Sequence, residues 1–317
     1  MNPKLFPDDI PILNSQKKFE EFIKLDPRDL YFLESGCVGH IREMFEKLFN
    51  EYCNLGLHSK HFLKEIRSGE NGKFHQRTWE MFIAIMLNKE GFQVHQFSKS
   101  GKGIDYIVSV NNIPSLYVEC NAPRPSEDHT NRTPQEELAQ RICQSITGKV
   151  SQYESSKAIN GFDKSLPYII ALNLGDPDSK HNNYSTTKNF SPRDENIYLE
   201  VLFDALVKDA AGMTTYWVED KLLHIPVRNL LFKFAPKSGF FRNKEYSIVS
   251  GIWFSRENVL NQSPLGDSNI LILNPFAKNP LDKNLLKNLR RQYLVGGELI
   301  LKEADINEEI QVTDNNH

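Results

Sequence analysis

The stretch PSLYVECNAP, residues 114–123, sets the frame for the chain. It is an apolar run closed by proline at both ends. Strand alternation divides it into two faces, with Leu116, Val118 and Cys120 on one and Tyr117, Glu119 and Asn121 on the other. A carboxylate in the middle of such a run is uncommon, because a buried acid without a partner is strongly disfavoured. Glu119 therefore needs a partner from elsewhere in the fold.

Upstream, GIDYIVSV (103–110) and FQVHQFS (92–98) are two further strands, and Asn111-Asn112 marks the turn into PSLYVECNAP. Connections this short suit an antiparallel meander. Before them, FHQRTWEMFIAIMLNKEGF (74–92) has the length of a helix and stops at Gly91. Every residue from Met81 to Leu87 is apolar, so this helix is expected to be enclosed on all sides. Downstream, TPQEELAQRICQSITGKVSQYESSK (133–157) reads as a long helix, with Thr133 and Glu136 forming a capping box around Pro134. LPYIIALNL (166–174) is a buried strand; arriving after a helical crossover, it should lie parallel to a neighbour.

The core order is thus helix, three strands, helix, strand: an α/β fold with a mixed sheet. A helical N-terminal region (1–70) precedes an α/β domain (71–317), whose core spans 73–174 and whose C-terminal extension spans 197–301. Within the extension a helix is expected at 197–211, strands in YSIVSGIWFS (246–255) and NILILNPFA (269–277), and a short basic helix in LLKNLRRQY (285–293). Residues 175–196 are polar and turn-rich and read as an insertion loop. No linker rich in proline and serine separates the parts, which favours one domain with a helical N-terminal part.

Composition is that of an ordinary globular chain: 317 residues, 39% hydrophobic, 25% charged, net charge -3. A polyanion would therefore need a local basic surface. The four cysteines have no CxxC spacing and no accompanying histidine cluster, so a zinc site is not expected. The N-terminus lacks the apolar run of a signal peptide, and no window is long and apolar enough to span a membrane. The expected location is cytoplasmic.

Two more acids lie beside apolar residues. Asp105 opens the second strand, and Glu80 sits in the first core helix on the flank of Ile83 and Leu87. Each has a plain explanation alone: Glu80 paired with Arg77 or Lys73, Asp105 closing the turn after Gly101 and Gly103. Together with Glu119, three acids from consecutive elements are economically explained by a shared cation such as Mg²⁺, which takes oxygen ligands and keeps several waters. Such a site activates water and neutralises charge on a phosphoryl group.

This element order, with Glu80, Asp105 in GIDY and Glu119 in VECN, resembles the PD-(D/E)XK nuclease superfamily, the restriction-endonuclease-like fold, over about a third of the chain (73–174). The frame FHxRxWE, GxD, VExxAP and RIxxSIxxKxxxY is similar to a poorly characterised bacterial group of that superfamily. The resemblance implies a nuclease dependent on Mg²⁺ or Mn²⁺ that hydrolyses phosphodiester bonds of DNA or RNA. Asp105, Glu119 and the Cys120 carbonyl would hold the metal, and Glu80 would orient a second metal or a ligand water.

The departure is Asn121, which stands where the family has lysine, and an amide cannot act as a base. One replacement is Lys149. At about 100° per residue it falls inside the stripe of Leu138, Ile142, Ile146 and Tyr153 that faces the sheet. In the superfamily the lysine can migrate to this helix. Tyr153, one turn on, would then hold Lys149 or a phosphate. The other replacement is Lys102, on the loop leading to Asp105. His75 and Arg77, near Glu80, are candidate substrate contacts, as is Asn121.

Lys60, Lys64, Arg67, Lys73 and Arg77 form one basic run, and Lys283, Lys287, Arg290 and Arg291 a second; either would suit a phosphate backbone. Phe74, Trp79, Phe240 and Phe241 would suit base stacking or the core. The alternative to an enzyme is a nuclease-fold module without cleavage activity, holding nucleic acid or a protein; Asn121 is its support. Oligomeric state stays open, a homodimer included.

Overall fold

The computed structural model describes residues 3–97, 103–123, 134–175, 206, 213–218, 221–226, 240–255, 269–282, 285–286, 290–295 and 298–302. The N-terminal region folds as four helices: α1 (Gln16–Leu25), α2 (Leu30–Cys37), α3 (Gly39–Asn54) and α4 (Lys60–Ile66). Helices α2, α3 and α4 pack on α5 (Asn71–Lys89), whose other side lies against the sheet, and α1 packs on α2. That double covering is why α5 buries residues around its whole circumference, as its unbroken apolar run requires. Gly91 ends it at φ +88°. The Phe92 N–H donates to the Leu87 carbonyl and the Gly91 N–H to the Asn88 carbonyl, closing a Schellman turn that only a left-handed residue permits.

Strands β1 (Gln93–Gln96), β2 (Tyr106–Val110) and β3 (Ile113–Asn121) follow as an antiparallel meander. Asn111 and Asn112, at φ +51° and +65°, make the β2–β3 turn; two successive left-handed residues match the strand twist. Helix α6 (Pro134–Ser156) crosses the sheet and returns the chain as β4 (Tyr168–Asn173), parallel to β3. Thr133, the expected cap, lies outside the described residues.

Next in chain order come β5 (Met213–Val218) and β6 (Lys221–Pro226), which pair as a separate hairpin. They are followed by β7 (Gly251–Ser255), β8 (Ile270–Leu273), β9 (Arg290–Val295) and β10 (Glu298–Lys302). The main sheet has eight strands in the order β1-β2-β3-β4-β7-β8-β9-β10, with mixed directions. Two expectations need correction here. Arg290–Tyr293, read as part of a basic helix, lie in β9, where pairing to β8 and β10 outweighs helical composition. The β5–β6 hairpin was not anticipated, although Thr214, Thr215, Tyr216, Trp217 and Val218 are strand formers. The expected loop from 176 on, and the helix at 197–211 apart from the buried helical Leu206, lie outside the described residues.

Two apolar cores flank the sheet. On one face Leu116, Val118 and Cys120 join α5 and the N-terminal helices; on the other Tyr117 joins the α6 stripe. The first core runs without a break from Leu5 and Phe6 through α5 to Trp253 and Leu271, so the N-terminal helices share their core with the sheet. Glu46 on α3 ties down the segment before α1 by accepting from the Leu5 and Phe6 N–H groups. All four cysteines are free and buried. Among the described residues, no helix is long and apolar enough to cross a membrane.

Candidate functional site

The β2–β3 ladder ends at Tyr106↔Val118, and beyond that pair the two strands part. Side chains replace the missing backbone bonds. The Cys120 N–H donates to Asp105 Oδ2 at 2.8 Å, and the Asp105 N–H donates to Glu119 Oε2 at 3.0 Å. The separation opens a cavity of about 310 Å³ at the end of β2. Glu80, Asp105, Glu119, Lys149 and Arg77 all line it. Glu119 is 0% and Glu80 5% exposed, while Asp105 keeps some contact with water.

Lys149 reaches this cavity from α6. The buried Tyr168 hydroxyl of β4 donates to the Lys149 carbonyl at 3.1 Å and anchors the turn of helix that carries it. Its Nζ lies 2.5 Å from Glu119 Oε1 and 3.3 Å from Gln152 Oε1. The Gln152 amide in turn donates to the Gly103 carbonyl, joining α6 to the segment that enters β2. On the opposite wall, Gln76 Nε2 donates to Glu80 Oε1 at 2.9 Å and to the Cys120 carbonyl at 3.2 Å, while Gln76 Oε1 accepts from the Ala122 N–H at 2.7 Å. Arg77 bridges Glu80 and Glu65 of α4. The Tyr106 hydroxyl donates to the Glu80 carbonyl at 3.2 Å and also meets the Tyr52 hydroxyl at 3.2 Å.

The electrostatics follow from burial and crowding. Desolvation, and then the charge of Glu119, push Asp105 up to about 7. Desolvation, and then Asp105, push Glu80 up to about 7. Glu119 is also raised, burial outweighing its bonds to Lys149. Burial by itself would lower Lys149, but Glu119 and Asp105 more than offset it and hold the amine protonated, above the usual lysine range. Three lining carboxylates, those of Glu80, Asp105 and Glu119, face two bases, Arg77 and Lys149, and Arg77 is shared with Glu65 outside the lining. The cavity is short of positive charge.

That deficit, the oxygen-only donors and the nearby Cys120 carbonyl fit a small divalent cation. Among the described residues, no three acidic, histidine or cysteine side chains already stand as a ligand shell. Asp105 and Glu119 are occupied with protein donors. Mg²⁺ requires only one or two carboxylates and fills its remaining positions with water, so three converged acids are not needed.

Several expectations are corrected. His75 is buried against the Tyr31 ring of α2 and does not line the cavity, because its side of α5 faces the N-terminal helices. Tyr153 packs on Phe162 and Tyr168 in the core beneath α6; Gln152, not Tyr153, holds the Lys149 amine. Asn121 is half-buried and stands outside the cavity lining. Phe74, Trp79, Phe240 and Phe241 are core residues, unavailable for stacking on bases. Lys102, Lys283 and Lys287 lie outside the described residues. Gln76 and Gln152 escaped sequence reading; the available signal was their helical spacing from Glu80 and Lys149, four and three residues away.

No family model, curated protein or solved structure matches this chain.

Proposed function

We propose that this chain is a metal-dependent nuclease with a restriction-endonuclease-like core, hydrolysing phosphodiester bonds of DNA or RNA. The observation that carries this reading is the contact between the Lys149 amine and the Glu119 carboxylate. An amine delivered by α6 shares the cavity with Asp105 and Glu80, whereas Asn121 stands outside its lining. The order of helix, meander, helix and parallel strand supports the same reading.

Asp105, Glu119 and the Cys120 carbonyl are the residues that would hold Mg²⁺ or Mn²⁺, with Glu80 on a ligand water or a second ion. When bound, the metal supplies Lewis acidity and charge neutralisation at the phosphoryl group. Lys149 places a proton-bearing amine against Glu119, where it orients the nucleophilic water and stabilises negative charge. Gln152 and the Tyr168 hydroxyl hold Lys149 in place, and Gln76 fixes Glu80 relative to β3. Arg77 is committed to Glu65 and Glu80 and tunes Glu80.

The test is incubation of purified protein with DNA and with RNA in Mg²⁺ or Mn²⁺. Cleavage should fall by about 100-fold or more in Asp105→Asn and in Glu119→Gln. Cleavage that survives both changes refutes the assignment. One observation favours a second reading, a nuclease-fold module that binds without cutting: both Glu119 oxygens and one Asp105 oxygen already accept from protein donors. Metal binding with no cleavage of any nucleic acid would select it.

A further inference from the structure

The cavity is half open to solvent and walled on two sides. Glu80 and Glu119 are buried in it while Asp105 is partly exposed, and its volume of about 310 Å³ sits at the low end of pockets that enclose a drug-sized ligand, about 300–1,000 Å³. Helix α4 forms one wall through Ser59, His61 and Phe62, opposite Lys149 and Gln152 of α6. Duplex DNA is stiff, with a persistence length of about 50 nm, and bending a scissile phosphate into a walled recess is costly. A single strand turns between successive phosphates and can splay one nucleotide inward.

The rim adds a charge argument. In the basic run around α4, three members are spent internally. Arg67 donates to the Lys4 and Leu5 carbonyls, Lys73 pairs with Glu70, and Arg77 with Glu65 and Glu80. Lys60 and Lys64 are exposed, one helical turn apart, and among the described residues neither makes an ion pair. They flank His61, whose side chain is 61% exposed at the mouth of the cavity.

We propose that the cavity takes one nucleotide of a single-stranded nucleic acid, whose backbone enters over α4 with its phosphates met by Lys60 and Lys64. This rests on reading the cavity as a nucleic-acid site. Single-stranded DNA and single-stranded RNA share the chemistry required, and separate arms of the test distinguish them.

The experiment measures fluorescence anisotropy of labelled single-stranded DNA, single-stranded RNA and their matched duplexes against the full chain in chelator, which excludes cleavage. At least one single strand should bind about 10-fold or more tightly than its duplex. The double variant Lys60→Ala/Lys64→Ala should weaken that binding about 10-fold. It should also reduce the slope of log K against log salt by about 1 to 1.5, because two phosphate contacts are lost. Lys17→Ala, exposed on α1, is the control and should change neither. Duplex bound as tightly as single strand, no binding of either, or an unchanged salt slope in the double variant overturns the proposal. Circular single-stranded and circular duplex DNA in Mg²⁺ then separate the two readings. Equal cutting of both circles overturns the single-strand proposal and leaves the nuclease reading standing. Single-strand preference in binding, with no cutting of DNA or RNA, does the reverse.

Discussion

Replacing Asp105 by asparagine should make the metal-free protein more stable above neutral pH, although it removes a residue placed at the centre of the site. The carboxyl of Asp105 is pushed from 3.8 up to about 7, first by burial and then by Glu119. A raised acid binds more protons folded than unfolded between about pH 4 and pH 7, so its contribution is full below the unfolded value and lost as pH rises through the folded one. Between about pH 5 and pH 8 this amounts to about 2–3 kcal/mol for Asp105 alone, at about 1.4 kcal/mol per unit. Glu80, also raised to about 7, acts in the same direction and is coupled to Asp105. Asparagine keeps an oxygen for the Cys120 N–H and carries no charge, so it removes the Asp105 part of the slope. The assay is urea denaturation in chelator at the two pH values, followed by Mg²⁺ addition at the higher one. The wild-type chain should lose stability as pH rises, and Mg²⁺ should restore part of it; Asp105→Asn should show a flatter profile and a smaller response. Stability independent of pH in the wild type, or Asp105→Asn less stable than wild type at about pH 8, would refute this account of the cavity's electrostatics.

Other substitutions probe the supports. Lys149→Met leaves the fully buried Glu119 without its cation and should cost about 3–5 kcal/mol in the denaturation midpoint analysis; adding Glu119→Gln should recover most of that while cleavage stays absent. Gly103 has φ +99° and carries the carbonyl that Gln152 holds. Gly103→Ala should destabilise by about 1–2 kcal/mol from backbone strain, with the Ile159 methyl at 2.8 Å giving way, and should reduce cleavage more than stability predicts because Asp105 is two residues on. Tyr106→Phe removes the hydroxyl between Tyr52 and the Glu80 carbonyl and should cost about 1 kcal/mol by thermal denaturation, with cleavage within a few-fold of wild type.

The parts of the fold that follow a short period were legible before any coordinates. The Asn111-Asn112 turn, the enclosed run Met81–Leu87 and the two faces of β3 each depend on residues within a few positions of one another. The acids were legible for a related reason: a carboxylate in an apolar run is conspicuous against its neighbours. His75 and Tyr153 misled because apolar periodicity shows that a side chain is buried but not what buries it. Helix α5 has two covered sides and His75 faces the wrong one. Tyr153 shares a stripe with Lys149 yet points one turn further under the sheet.

Sequence by itself determined the element order through β4 and which residues share each face, since 3.6-residue and two-residue periods are local properties of the chain. Only the tertiary structure decided that the Lys149 amine meets Glu119, that Gln76 and Gln152 brace the cavity, and that α4 forms its wall. Those outcomes depend on where the α6 crossover returns and how the N-terminal helices pack on α5, and contacts across such separations leave no periodic trace in the chain.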